Sequence, residues 1–491
     1  MTAPQTRPPA KELHLKPGAH VHLMGICGTA MASLAGLLQS RGFKITGSDQ
    51  NVYPPMSTQL EKLGIQIMQG YKRENLNVRP DLVIVGNVIS RKYEEAEALL
   101  ESDIPFTSLP QAMGALVIQN RHSVVVAGTH GKTTTTSMNA YIADQLGLKP
   151  GFMIGGIPKN FDLSFRSPEG DWFVIEGDEY DTAFFDKVPK FIHYKPQSVI
   201  LNSVEFDHAD IYRDLEHVKE AFLMLLDLIP KGGLLVACED EETIRDLLSR
   251  RRDQLEARGV RVVTFGLERG TYRPENIETV PGDGIRFRIA RSGKPPVKIH
   301  LKLIGRYNIK NAMATVALWE SLGYDGQKVA DLLSGFQGVK RRQEILGRPG
   351  GVTLIEDFAH HPTAVKETIR TAQEQFPGRT VFSVFEARSA TSRRNVFQNE
   401  YADAFSGAQR VLFPPPFNQT GIPEAERFSI EKLISDVRAK GVTVDLKENV
   451  DAIVSTLARE AKAGDAILIM SNGGFDGIYQ KLITALETRG L

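Results

Sequence analysis

Short runs of mostly apolar residues recur along this chain, separated by longer stretches whose apolar positions return every three or four residues. Ala19–Met24, Asp81–Gly86, Val124–Ala127, Trp172–Ile175 and Ser198–Leu201 are too short for helices and rich in branched side chains. They read as strands buried on both faces, as in a parallel sheet. The helical period follows them over 29–41, 132–147, 306–322 and 362–375. Strand and helix in alternation predict an α/β protein of doubly wound sheets. One segment breaks the pattern. Residues 283–304 alternate at period two around Gly-Lys-Pro-Pro and predict an antiparallel hairpin.

A chain of 491 residues exceeds what one core holds, and three domains of ordinary size fit it. The Pro-rich start predicts a loose tail over 1–18. The first unit, Rossmann-like, closes near 104–118 and is placed at 19–118. A central P-loop ATPase-type unit follows over 119–343. The basic turn cluster GFQGVKRRQE (335–344) marks the second boundary, and a Rossmann-like unit with strands at 352–356, 380–385 and 466–470 fills 344–491.

Lys+Arg and Asp+Glu each number 59, so no net field recommends nucleic acid or an anionic membrane as partner. Two cysteines, Cys27 and Cys238, provide no disulfide framework and suit a reducing cytosol. No apolar run approaches the ~20 residues of a membrane span, and no signal peptide is expected. The expectation is a cytoplasmic protein.

The chemistry concentrates where strands end. After Val124–Ala127 comes Gly128-Thr129-His130-Gly131-Lys132-Thr133-Thr134, then a helix. Glycines let the backbone curl so that amides face an anion at the helix N-terminus. Lys132 adds a mobile charge for phosphates, and the Thr133 hydroxyl is placed to ligate Mg²⁺. The full phosphate-loop pattern wants glycine at 126, where Val126 stands. This predicts a nucleoside triphosphate site. Two further strand ends carry acids: Glu176-Gly177-Asp178-Glu179-Tyr180-Asp181 and Glu205-Phe206-Asp207-His208. Together with the loop they predict a composite metal–phosphate site.

Other features leave two readings open. Gly25-x-x-Gly28 with Asp49 about twenty residues on outlines a dinucleotide fold, but fits a plain βα joint or another nucleotide equally. Asn308 and Asn311, three apart, fit helix capping or adenine contact. His360-His361-Pro362 sits at a ligand-binding edge, whereas Ser471-Asn472-Gly473-Gly474 fits a site or a permissive turn.

GTHGKTTTT, IEGDEYD, NSVEFDH, YN-x-x-NA, FQGVKRRQE and EDFAHHPT stand in this order between residues 128 and 363. With the ordered set, the chain from about 19 to 485 resembles the Mur ligase family of bacterial cell-wall enzymes. GIxGxxM near the start and HHPT near the end are similar to its UDP-N-acetylmuramate branch. Asn51–Met56, Phe184–Lys187 and Ser471–Phe475 look like the member that attaches a recovered tripeptide rather than L-alanine. The resemblance implies that Lys132, Glu176 and His208 are catalytic. It implies that the 128–134 loop, Asn308, Arg342 and Asp357 hold ATP, and that Thr133, Glu176 and His208 ligate Mg²⁺. It further implies that Gly28, Thr29, Met31, Ser48 and Asp49 line a UDP-sugar site, and that Arg388, Ser471 and Asn472 face the peptide. Two positions depart from other relatives. Tyr307 stands where histidine is common, and Phe222 lies near the carbamylated lysine of other branches.

The implied reaction is carboxylate activation: a muramate carboxylate takes the γ-phosphate of ATP, and an amine then displaces phosphate. The substrates expected are ATP, UDP-N-acetylmuramate and L-Ala-γ-D-Glu-meso-diaminopimelate, with L-alanine as the alternative amine. An NAD-dependent oxidoreductase leaves the phosphate loop unexplained. A folylpolyglutamate-type ligase leaves residues 19–118 unexplained, and a non-catalytic nucleotide-binding regulator leaves the phosphate and metal residues unexplained.

Overall fold

A computed structural model describes residues 13, 15–52, 56–280 and 282–488. Most of the expected tail, and Tyr53–Pro55 of the Asn51–Met56 stretch, lie outside the described residues.

The chain builds three large sheets. In the first, Gln66–Gln69, Lys44–Asp49, His20–Met24, Leu82–Val85 and Phe106–Ser108 lie side by side in that order, all parallel. The chain starts at the middle strand and winds outward in both directions, so Gly25–Gly28 lies where the strand order reverses. That is where open parallel sheets bind ligands.

The second sheet has ten strands. His122–Ala127 runs between Pro196–Leu201 and Trp172–Gly177, parallel to both. Val124, Val125, Val126 and Ala127 are fully buried, as their unbroken apolar character demands. Val126 pairs with Ile200 and Glu176 inside the sheet, so the phosphate loop starts only at Gly128 and needs no glycine at 126. The helix Lys132–Gln145 follows and buries a polar run, Thr133–Ser137. The run tolerates burial because its hydroxyls bond back along the helix: Thr136 Oγ1 donates to the Lys132 carbonyl at 2.8 Å and Ser137 Oγ to Thr133 at 2.7 Å.

The hairpin is present, with two corrections. Arg291 pairs with Lys294, so the turn is Ser292-Gly293, and both prolines sit inside the edge strand Lys294–Leu301. An edge position lets proline forgo a ladder donor. A third antiparallel strand, Tyr272–Val280, joins the hairpin. Its side chains are mostly exposed, which removes the alternation that announces a strand.

The third sheet orders Glu344–Gly347, Thr353–Asp357, Ala466–Met470, Val381–Phe385, Arg410–Phe413 and Thr443–Leu446, all parallel except the first. After Val381–Phe385 the chain forms a 3₁₀ turn at Asn395–Phe397 followed by the helix Gln398–Ala404. Among the described residues no helix is long and apolar enough to cross a membrane.

Candidate active site

The phosphate loop is held from below by the neighbouring strand end. The Thr129 amide donates to the Ser203 carbonyl and the His130 amide to Ser203 Oγ, both at 2.9 Å. Those two amides therefore brace the loop, and the anion-facing donors are the ones that open the helix at Lys132–Thr134, which have no intrahelical acceptor. Gly131 has φ +78°, and a Cβ there would lie 2.8 Å from Asn311 Oδ1. Both facts require glycine.

Lys132 Nζ donates to the Gly128 carbonyl at 2.7 Å and to Glu179 Oε2 at 2.9 Å. Burial alone would lower the lysine pKa; the Glu179 and Asp178 carboxylates outweigh it and hold the ammonium charged. Glu176 enters the site because its strand lies beside Val126. Its carboxylate accepts the Gly155 amide at 2.6 Å and Thr133 Oγ1 at 3.2 Å. Burial raises its pKa, against the pull of that amide, Arg342 and Lys132.

Of the expected metal residues, Thr133 and Glu176 touch, and His208 stands with Asp178 and Glu179, its Nε2 3.6 Å from Glu179 Oε1; all three line the same cavity. Glu179 was not singled out from its acidic run, yet it is 2 % exposed and links Lys132 to His208. Burial lowers the His208 pKa and Glu179 raises it, with a net rise.

The boundary segment and the third unit reach into the same site. Arg342 Nη2 donates to Thr133 Oγ1 at 3.1 Å, and its guanidinium lies 4.6 Å from the Phe358 ring centroid. Asp357 accepts the Gln343 and Ala359 amides at 2.8 and 2.7 Å. Burial raises the Asp357 pKa and Arg342 opposes the rise. Two further contacts fasten the units together: Thr363 Oγ1 donates to Glu205 Oε2 at 2.7 Å and Thr391 Oγ1 to Asp207 Oδ1 at 3.0 Å.

Lys132, Glu176, His208, Arg342 and Asp357 line one cavity of about 660 Å³, and Thr29 and Ala30 of the first unit complete its wall. Tyr307 and Asn308 also line it. The Asn308 amide nitrogen donates to the Ile304 carbonyl at 2.8 Å, and its oxygen accepts from the Asn311 side chain at 3.1 Å; neither bond caps the helix, whose N-cap is Gly305 with no side-chain bond. Phe222 is fully buried against Phe191, away from these groups.

The other expected residues fall into two places. Gly28 caps the helix Thr29–Ser40, and Met31 is buried in the core of the first unit. Asp49 accepts the Cys27 and Asn51 amides at 2.9 Å each, so it shapes the glycine turn, while the buried Ser48 hydroxyl has no partner. Of these five only Thr29 lines the large cavity. Arg388, Ser471 and Asn472 meet elsewhere. Ser471 Oγ donates to Glu386 at 2.6 Å, Arg388 lies 3.4 Å from that carboxylate, and the guanidinium covers the Phe417 ring at 3.8 Å. A Cβ on Gly473 would lie 2.2 Å from Arg388 Nε, so this turn is not merely permissive. The buried Asn472 Oδ1 has no partner.

Three family profiles match in register with the three sheets: the Mur ligase family catalytic domain over 20–121, the Mur ligase middle domain over 126–319, and the Mur ligase glutamate ligase domain over 341–473. The UDP-N-acetylmuramate–L-alanyl-γ-D-glutamyl-meso-2,6-diaminoheptandioate ligase of Escherichia coli (strain K12) is 38% identical over 471 residues, 96% of this chain and 98% of that protein. This chain belongs to the Mur ligase family. A solved murein peptide ligase from Psychrobacter arcticus superposes with TM-score 0.71 at 35% identity, covering 96% of this chain and 99% of that one. A UDP-N-acetylmuramate–L-alanine ligase from Clostridium tetani is 31% identical over 92% of this chain and 95% of its own length. Mur ligases are enzymes, and residues of all three matched regions line the same cavity of about 660 Å³.

Proposed function

We propose that this ligase joins the amino group of L-Ala-γ-D-Glu-meso-diaminopimelate to the carboxyl group of UDP-N-acetylmuramate at the expense of ATP, in cytoplasmic recycling of cell-wall peptide. The observation that carries the reading is the single cavity in which Lys132 of the phosphate loop meets Arg342 at the end of the central unit and Asp357 of the third unit, walled by Thr29 of the first. Relatives named for this reaction, similar over nearly the whole chain, support the choice of substrates. We assign the UDP-sugar to 19–118, ATP to 119–343 and the peptide to 344–491.

A carboxylate oxygen of the muramate attacks the γ-phosphorus, the bond to the β–γ bridging oxygen breaks, and ADP leaves. The amine nitrogen then attacks the acyl carbon, phosphate departs, and the nitrogen loses a proton. Lys132 and the helix amides neutralise phosphate charge in the first step, and Arg342 adds a second cation. Thr133 and Glu176 offer hard oxygen donors that suit Mg²⁺, which when bound supplies further neutralisation of the phosphates. His208, with Asp178 and Glu179, provides a second set of donors nearby. The apolar end of the cavity, with Phe265, Leu267 and Leu303, suits the nucleotide base.

An isotope experiment tests the reaction class. UDP-N-acetylmuramate labelled with ¹⁸O in its carboxyl group is turned over with ATP, Mg²⁺ and the tripeptide. Passage through an acyl phosphate delivers one ¹⁸O into inorganic phosphate; unlabelled phosphate would overturn the mechanism.

A further inference from the structure

Three side chains from three loops converge at the rim of the cavity without hydrogen-bonding one another. His130 Nε2 lies 3.5 Å and His361 Nδ1 3.6 Å from the same oxygen, Oε2 of Glu205. The three ligating atoms all lie within 4.8 Å of one another. His130 Nε2 is buried and has no hydrogen-bond partner. The other nitrogen of His361, Nε2, faces the Phe206 carbonyl at 3.2 Å, where only a donated proton makes a bond. In the neutral ring the lone pair is therefore on Nδ1, which accepts the Thr363 amide at a long 3.3 Å and lies 3.6 Å from Glu205 Oε2. A cation between that nitrogen and the anionic oxygen would bind both more strongly than the long amide bond does.

The two nitrogen–oxygen distances lie close to those of a metal centre. With metal–nitrogen and metal–oxygen bonds of ~2.0–2.2 Å, tetrahedral ligand atoms stand roughly 3.3–3.5 Å apart, and the third separation, within 4.8 Å, closes by a small rotation of the rings. The outer contacts also match. A ligating histidine commonly donates its second nitrogen to a backbone carbonyl, as His361 does to Phe206, and a ligating carboxylate is steadied by a further hydrogen bond, as Glu205 is by Thr363 Oγ1 at 2.7 Å.

We propose that His130, Glu205 and His361 form a binding site for a transition-metal ion of the Zn²⁺ class, separate from the oxygen donors Thr133 and Glu176. Two imidazoles and one carboxylate select Zn²⁺, Co²⁺ or Ni²⁺ over Mg²⁺. The ion ties the phosphate loop and the Glu205 loop of the central unit to the helix start at Pro362 in the third unit. It is a clamp on the closed arrangement, and opening requires its release.

The test needs no substrate, so it is independent of the proposed reaction. Metal-free full-length protein is titrated with Co²⁺ in excess Mg²⁺, reading the visible bands of a tetrahedral site, and Zn²⁺ stoichiometry is measured by equilibrium dialysis. One ion per chain is expected. His361→Gln and the near-isosteric Glu205→Gln should each weaken binding about 10- to 100-fold, whereas His208→Ala should leave the bands in place. The proposal is overturned if the wild-type chain binds no Zn²⁺, if both substitutions leave binding unchanged, or if His208→Ala abolishes it. Glu205→Gln decides the matter should His361→Gln fail to fold.

Discussion

Lys132 Nζ and Glu179 Oε2 lie 2.9 Å apart, with side chains 15% and 3% exposed, so the lysine proposed to bind phosphate rests on a buried carboxylate. In that proposal phosphate competes with Glu179 for the ammonium or shares it. Lys132→Ala removes the loop's mobile charge and strands Glu179. Turnover should fall by roughly 10³-fold or more. Breaking a buried pair from one side costs about 3–5 kcal/mol. Lys132→Met with Glu179→Gln should recover part of that loss in thermal unfolding, giving a coupling of about 1–3 kcal/mol. Additive losses would show that the pair does not hold the site together.

Glu176→Gln tests the oxygen donors. It keeps the volume, and the amide oxygen still accepts the Gly155 amide, but the charge is gone. The Mg²⁺ concentration for half-maximal rate should rise at least ~10-fold. Overlapping Mg²⁺ titrations of mutant and parent would remove Glu176 from the ligand set. Because His208 sits with Asp178 and Glu179, His208→Ala should shift the same titration less.

Arg342, at the boundary with the third unit, reaches Thr133 of the phosphate helix. Arg342→Ala should lower kcat about 10²-fold and shift small-angle scattering toward a more open particle under ATP analogue and UDP-sugar. Scattering curves that match the parent under both conditions would mean that closure does not depend on this arm.

A pH effect follows from His122, far from the chemistry. Its ring lies 4.2 Å from Trp172, its Nε2 is 2.9 Å from Ser198 Oγ, and burial lowers its pKa from 6.5 to about 4. Between those values the unfolded chain takes a proton that the folded chain refuses. Stability from this group is complete above pH 6.5 and falls as pH drops toward 4. After allowance for residual exposure the loss is on the order of 1–2 kcal/mol. His122→Gln should flatten the dependence of Tm on pH over that window; parallel curves for mutant and parent would exclude the assignment.

Much of this architecture was legible because its signals are local. Val124–Ala127, Gly128, Gly131, Lys132 and Thr133 announce a strand, a turn and an anion site within ten residues. Glu179 was not legible, since Asp178, Glu179 and Asp181 look alike until the fold decides which one meets Lys132. Thr129 and His130 were expected to face phosphate, but their amides brace Ser203, a partner over seventy residues away. Met31 and Asp49 carry family motifs yet pack or shape the first unit rather than line the cavity. The strand Tyr272–Val280 escaped because its exposed side chains leave no hydrophobic rhythm.

The central claim is the amine donor. The cluster of Arg388, Ser471, Asn472 and Phe417 lies outside the large cavity and offers a charged, partly stacked surface, which we propose as the platform for the peptide beyond its first residue. Purified protein with ATP, Mg²⁺ and UDP-N-acetylmuramate should release ADP on the order of 10⁴-fold faster with L-Ala-γ-D-Glu-meso-diaminopimelate than with L-alanine, because the short substrate leaves buried polar groups unpaired. Equal or faster release with L-alanine would contradict the account.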